Sequence, residues 1–574
     1  MSEINKKNVI QLLERIAVYL ELKGENPFKI SAYTKAAQAL ERDDRSLSEI
    51  EDFTKIKGIG KGTASVIEEY VEYGESGTLK ELEEEVPAGL IPLLELPGLG
   101  GKKLAKLYDQ LGVVDKQTLQ AALEEGKVEE LDGFGKKSAE KMLQALTDHG
   151  SRPERLPIAF MLPLSEKVDE YLASLESVNR YSLAGSMRRV RETIKDLDYI
   201  ISSDNPEKTR DDLLELPGIK EVIASGETKV SVTVEEKWDV NIDFRIVKDE
   251  EFATTLHHFT GSKDHNVLMR QLAKSQGEKI SEYGVEDVET GKMQTFDTEE
   301  EFYGHFGLSY IPPEVREGTE ETELFKETVP LIRIEDIKAD LHMHTTWSDG
   351  AHSVQEMAER CKAKGYEYIV ITDHSKYLRV ANGLNETRLR KQREEIRKVN
   401  EIMDDFHIFS GVEMDILPDA SLDFDDDFLE EMDVVIASIH SSFSQAESEI
   451  MKRLNAALEN PHVDIIAHPT GRLIGKREGY PVDIPALIQK AKETGTALEL
   501  NANPNRLDLN AEYLKMAQEE GVMISIDTDA HNFPMLEDMK TGVGTARKGY
   551  VRKENVLNTK TREEFQAWLA NNSQ

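Results

Sequence analysis

A chain of 574 residues, 39% of them hydrophobic, holds material for roughly four domains of about 150 residues each, which excludes a peptide or a small disulfide scaffold. Asp and Glu number 109 against 71 Lys and Arg, a formal net charge of −38, so any partner as negative as nucleic acid has to be held by local donors and not by a broad positive field. Cys361 is the only cysteine, which excludes an intrachain disulfide and a thiolate metal cluster and fits a reducing compartment. Charges at Glu3, Lys6, Lys7, Glu14 and Arg15 make the start an amphipathic helix and not a signal peptide, and no run of about 18 apolar residues occurs. The expectation is a cytoplasmic protein without a membrane partner.

Residues 1 to about 150 read as helices, with apolar positions at three- and four-residue spacing such as Val9, Leu12, Leu13 and Ile16. One short unit occurs three times there: Lys57-Gly58-Ile59-Gly60-Lys61, Pro97-Gly98-Leu99-Gly100-Gly101-Lys102 and Asp132-Gly133-Phe134-Gly135-Lys136. A single Gly-x-Gly merely connects two helices about as often as not. Three copies, each followed by lysine and a helical pattern, offer backbone N–H groups at helix N-termini for phosphate, and they resemble helix-hairpin-helix elements that hold DNA. Residues 1–330 contain 42 Lys and Arg against 66 Asp and Glu, so such contacts are sparse and salt-sensitive.

From about 151 to 250 the pattern changes to strands of period 2, including residues 230–234 and 240–246. In Asp196-Leu197-Asp198 the two carboxylates share one strand face, and Asp243 shares a face with Asn241 and Arg245 on another strand. Two carboxylates on one strand and a third on a second suit two Mg²⁺ or Mn²⁺ ions and the phosphates of a substrate, although Asp-x-Asp alone is usually a solvated face. Upstream, Gly185-Ser186-Met187-Arg188-Arg189 supplies hydroxyl, backbone and guanidinium donors for a triphosphate, and downstream lies His258-Phe259-Thr260-Gly261-Ser262.

Together these motifs resemble the family X DNA polymerases over about residues 1 to 315. The resemblance implies a helical DNA-binding domain at 1–85, fingers at 86–150, a nucleotidyltransferase palm at 151–250, a thumb at 251–315 and a linker at 316–334. It implies Asp196, Asp198 and Asp243 as catalytic metal ligands, and Gly185, Ser186, Arg189 and Asn266 as contacts to an incoming dNTP. DNA contacts are implied for Lys35, Gly58, Gly60, Gly98, Gly100, Gly133, Gly135 and Arg270. Two positions depart from the family pattern. Val66 stands where lyase-competent members carry a Schiff-base lysine, and His258 stands where many have an aromatic residue that limits the sugar 2′ hydroxyl.

Beyond about residue 335, seven apolar runs alternate with helix-like stretches, which suggests a parallel sheet and permits a barrel. Their ends carry His342-Met343-His344, Asp373-His374, Glu413, His440, His468 and Asp529-Ala530-His531, with Asp349 in the first loop. Polar residues at the C-terminal ends of parallel strands meet at one mouth, and imidazole with carboxylate suits Mn²⁺, Zn²⁺ or Fe. The set resembles the polymerase and histidinol phosphatase (PHP) domain over 335–574, a distorted (β/α)7 barrel. That resemblance implies three ions: His342, His344, Glu413 and Asp529 for one, Glu413 with His440 and His468 for the second, and Asp349, His374 and His531 for the third. Arg472 is a phosphate contact or a plain surface arginine, and Asn501, Asn503 and Asn505 line the mouth or build a turn.

The fold class expected is multidomain α+β and α/β. The expected function is a template-directed DNA polymerase that fills short gaps in base excision repair, with a 3′-5′ exonuclease in the PHP domain and action at abasic sites. Its partners are gapped or primed duplex DNA with a 5′ phosphate and dNTPs, and the chain is expected to act as a monomer. Two alternatives stand beside it: a phosphatase of the histidinol-phosphatase type acting on small molecules, and a DNA-end-binding scaffold with little catalysis.

Overall fold

The computed structural model describes residues 4, 6–41, 43, 45, 47, 50–96, 99–131, 133–148 and 153–572. The chain divides into two compact units: Met1–Arg152 with His344–Met357 and Asp373–Lys398, and the remaining residues. No helix among the described residues is long and apolar enough to cross a membrane.

In the first unit the principal N-terminal helices are α1 (Lys6–Leu22), α2 (Pro27–Glu41), α3 (Lys61–Tyr73), α4 (Gly101–Leu111) and α5 (Lys136–Asp148). The three- and four-residue spacing places Val9, Leu13 and Ile16 in one core with Leu40, Ile67, Leu104, Leu107 and Met142. Three helices start directly after the repeated glycine turns. Gly60 and Gly100 are the N-caps of α3 and α4, and the Gly135 carbonyl accepts from Ala139 in α5. Gly58 and Gly133 adopt positive φ, 116° and 89°, which a side chain would strain; Gly98 lies outside the described residues.

The second unit begins with a mixed sheet of β1 (Arg180–Leu183), β2 (Leu197–Ser202), β3 (Ile219–Ser225), β4 (Lys229–Val234) and β5 (Val240–Val247), in spatial order β1-β2-β5-β4-β3. Burial alternates residue by residue along β5, so Ile242 and Phe244 enter the core and Asp243 faces away from it. Strands β2 and β5 run parallel with Asp198 opposite Asp243. The next region packs the helix α6 (Lys263–Ser275) near a three-stranded sheet, around Met269, Phe302, Tyr303 and Ile311. Residues 316–334, expected as a linker, do not run free, since Phe325 and Leu331 are buried in that same core. Glu299 sits between the guanidinium groups of Arg188 and Arg316, at 2.7 and 2.6 Å, an ion triad that joins the five-stranded sheet to this region.

Seven parallel strands follow in sequence order: β6 (Ala339–Asp340), β7 (Tyr368–Ile371), β8 (His407–Asp415), β9 (Val434–Ser438), β10 (Ile465–Ile466), β11 (Ala497–Asn501) and β12 (Ile524–Asp527). An isolated parallel bridge between Met343 and Ala530 brings the two edges together, so the sheet is a nearly closed barrel. Nearly every residue of these strands is buried, which is why they read as continuous apolar runs.

Asp464, just before β10, is a buried carboxyl that accepts the Val435 N–H at 2.9 Å. Burial pushes it up to about 7, against the Val435 hydrogen bond that favours the charge. A raised carboxyl stabilises the fold fully below its unfolded value, and the contribution is lost as pH rises through the folded one. The melting temperature of Asp464→Asn minus that of the wild type is therefore expected to grow from about pH 4 to about pH 7 and then level off. A difference that does not vary with pH would contradict this.

Candidate active sites

On the five-stranded sheet, the parallel register sets Asp198 beside Asp243, and Asp196 lies one residue ahead of β2. Burial first, then the charges of Asp243 and Asp196, push the Asp198 carboxyl up to about 7. Asp243 is held from β4: the Ser231 hydroxyl donates to it, and the Lys229 ammonium lies 3.1 Å away. The three ligand atoms are not among the groups that lie within 4.8 Å of one another. The Lys229 ammonium occupies Asp243, and Arg245 and Lys229 both temper the repulsion that Asp198 feels. Gly185, at φ 62°, packs so closely on Asp198 that a Cβ there would collide with its carboxylate. Ser186 follows in the first turn of a four-residue helix.

Other expected contacts are dispersed. The Arg189 guanidinium donates to the Thr260 carbonyl oxygen and lies 3.7 Å from Glu317, and Asn266 donates its amide to the His258 carbonyl at 2.8 Å. Arg270 and Lys35 are exposed, and Val66 is buried in the helical core.

At the barrel mouth the strand ends bring the expected residues together. His342, His344, Glu413 and Asp529 place ligand atoms within 4.8 Å of one another, as do His344, Asp349, His374 and His531. His374, Glu413 and His440 form a third such group. Glu413 belongs to two of the three groups, its carboxylate 3.3 Å from His342, 3.2 Å from His440 and 3.1 Å from His468. All these side chains are buried except His440 and His531, which are partly so.

Burial works against an imidazolium at His342, yet Glu413, Asp529 and Glu499 outweigh it and raise the group well above the ordinary histidine value. His440 is likewise raised to about 10, with Glu413 and Asp415 overcoming burial. Burial and then the charge of Arg506 lower His468 to about 3. The carboxylates around His342 and His440 thus favour positive charge at the mouth, which a divalent cation would supply. A donor set of buried imidazoles and carboxylates at this spacing fits divalent metal, which binds the imidazoles in their neutral form.

Several supporting residues escaped the motif reading. Glu499 contacts His342 and His468, Asp415 lies 3.3 Å from His440, and Lys229 holds Asp243. Their only sequence signal is period: Glu499 alternates with Asn501, Asp415 with Glu413, and Lys229 with Ser231. Arg472 is engaged by Glu192 at 2.7 Å and by the Leu507 carbonyl oxygen. Asn501 lines the mouth, its amide 3.2 Å from Asp529, whereas Asn503 accepts the N–H of Asn505 in a turn.

Family comparisons match a helix-hairpin-helix domain at residues 4–76, a SAM-like helix-hairpin-helix tandem at 90–148, a DNA polymerase beta thumb at 255–317 and a PHP domain at 340–528. A Bacillus subtilis (strain 168) protein named DNA polymerase/3'-5' exonuclease PolX is 60% identical over 99% of this chain and 100% of its own length. The chain belongs to the PolX family. Its C-terminal part is also similar to a probable phosphatase of Thermoanaerobacter sp. (strain X514), 29% identical over 38% of this chain and 89% of that protein. A probable phosphatase of Acetivibrio thermocellus is 31% identical over 33% of this chain and 78% of its own length. This PolX family member therefore carries a PHP module that also occurs in much shorter proteins.

The lysine at Asp243 gives a test of the sheet site. Lys229→Met removes a cation that competes for that carboxylate, so Mg²⁺ affinity is expected to rise roughly threefold to tenfold at low ionic strength and less in high salt. Calorimetry on Lys229→Met with and without Asp196→Ala/Asp198→Ala, which removes two of the sheet carboxylates, reads the change at the sheet site apart from the barrel, and unchanged or weaker binding would contradict the competition.

Proposed function

We propose that this chain extends a primer at the five-stranded sheet and removes 3′ nucleotides at the barrel. The observation that carries this reading is the pair of separate acidic centres in one PolX family chain, Asp196, Asp198 and Asp243 on one sheet and the Glu413 cluster at the barrel mouth. The sheet is the palm of the polymerase, with Asp196, Asp198 and Asp243 as ligands for Mg²⁺ or Mn²⁺. The barrel ligands His342, His344, Asp349, His374, Glu413, His440, His468, Asp529 and His531 hold Mn²⁺, Zn²⁺ or Fe. Divalent cations supply charge neutralisation and orientation of the phosphates in both reactions.

The chain's own residues do the rest. Gly185 lets the backbone approach Asp198, and the hydroxyl of Ser186 and the amides of that turn face the triphosphate of a dNTP. The helix-hairpin-helix turns at Gly58–Gly60, Gly98–Gly100 and Gly133–Gly135 grip phosphates on both sides of a short gap, with Lys35 on a 5′ phosphate, and they carry no sequence information. Short-gap filling in base excision repair follows from that grip. Valine cannot form an imine, so a 5′-deoxyribose-phosphate lyase step through Val66 is not part of this proposal. At the barrel, buried carboxylates hold the histidines around the scissile phosphate, where water is the nucleophile that releases the 3′ nucleotide.

Similarity of the PHP part to probable phosphatases favours a second reading, hydrolysis of a small phosphomonoester at the barrel. One gapped substrate separates them. Asp196→Ala/Asp198→Ala is expected to lose primer extension by at least about a hundredfold and to keep 3′ degradation, and His342→Ala/His344→Ala to do the reverse. Loss of both activities in either variant would contradict two centres. Phosphate release from a phosphomonoester without nucleotide release from DNA would favour the phosphatase.

A further inference from the structure

Glu499 is a fully buried carboxylate at the heart of the barrel that belongs to none of the three ligand groups. It stands on β11, where period 2 puts Glu499 and Asn501 on one face and Leu498 and Leu500 on the other. Its two oxygens are committed to two different histidines. Oε1 lies 2.6 Å from Nδ1 of His342. Oε2 accepts the backbone N–H of His468 at 2.9 Å and lies 3.5 Å from Nδ1 of that ring.

The geometry fixes what each ring can offer. With Nδ1 of His342 turned to Glu499, the other nitrogen, Nε2, faces Glu413 at 3.3 Å and Asp529 at 3.6 Å. His468 repeats the arrangement, with Nε2 at 3.1 Å from Glu413 and 3.6 Å from Asp529. Asn501 adds its amide at 3.3 Å from Nδ1 of His468 and 3.2 Å from Asp529. One side chain thus anchors the rear of two rings whose front nitrogens converge on the same two carboxylates. A carboxylate that accepts the far N–H of a ligating imidazole fixes its tautomer and orientation and strengthens it as a donor.

We propose that Glu499 is the positioning residue that presents Nε2 of both His342 and His468 to divalent cations, and so links occupancy of the two ion positions that these histidines serve. The proposal rests on the reading of the barrel as a metal centre. Glutamine tests it specifically. A side-chain amide has one accepting oxygen, so Glu499→Gln can satisfy Nδ1–H of His342 or the N–H of His468 but not both. Alanine loses both.

The experiment is a Mn²⁺ titration of the chelator-treated full-length protein by calorimetry, in an Asp196→Ala/Asp198→Ala background that leaves the barrel as the site counted. Glu499→Ala is expected to weaken at least two ions by about tenfold to a hundredfold, and Glu499→Gln to weaken binding by a smaller factor. Release of 3′ nucleotides at limiting Mn²⁺ should fall in parallel and recover in Glu499→Gln as Mn²⁺ is raised, a rescue that a purely structural defect would not give. Circular dichroism melts report folding, and if alanine unfolds the barrel, glutamine, which keeps the volume, decides alone. A folded Glu499→Gln protein with the background's Mn²⁺ affinity and stoichiometry would overturn the proposal. If the background protein itself binds no Mn²⁺, it is the metal-centre reading that fails.

Discussion

The barrel is organised around one electrostatic constraint, the burial of Glu413 within hydrogen-bond reach of three histidines from three other strand ends. A buried carboxylate is tolerable only when its charge is offset, and Asp529 and Glu499 add two more beside it. Parallel strands ending at one mouth are what allow residues more than a hundred positions apart, such as His342 and His468, to share that offset. The same constraint explains the support behind the cluster. Asp415 stands behind His440, Glu499 behind His342, and Asp373 receives the N–H groups of Thr345 and Ser348 in the loop that leads to Asp349.

The five-stranded sheet meets the problem differently. Its carboxylates are half-buried on two adjacent interior strands, where Asp198 is opposed by Asp243 across a parallel pair and where Lys229 and Ser231 attend Asp243. The cationic Arg245 and Lys229 offset only part of the repulsion at Asp198, whose carboxyl stays raised. Where the structure needs a permanent bond instead, it uses guanidinium groups: Glu299 between Arg188 and Arg316 is held far below the usual carboxylate range despite its burial. A net charge of −38 is compatible with grip on DNA only through local donors, and the glycine turns at the starts of α3, α4 and α5 are the ones proposed.

Motif and period carried the sequence reading a long way. The strand-end polar residues of 335–574 identified the members of the mouth, because a strand buried on both faces has few reasons to end in His or Asp. Alternation on 240–246 correctly set Asp243 apart from Ile242 and Phe244. The stretch at 316–334 misled because charged residues predominate in it; Phe325 and Leu331 are too widely separated to form a pattern, yet both are buried.

What the sequence by itself determined is therefore which side chains point together along each element, since helix and strand periods are local properties of the backbone. Which elements stand side by side was decided only by the tertiary structure. Glu499 behind His342, Lys229 on Asp243 and Arg472 on Glu192 are pairings across 157, 14 and 280 positions. No repeat or spacing records them, because they depend on strand register and on how loops return to the mouth. Like-charged carboxylates gather where the fold brings them, and the partner that makes each one tolerable comes from whichever strand the fold lays beside it.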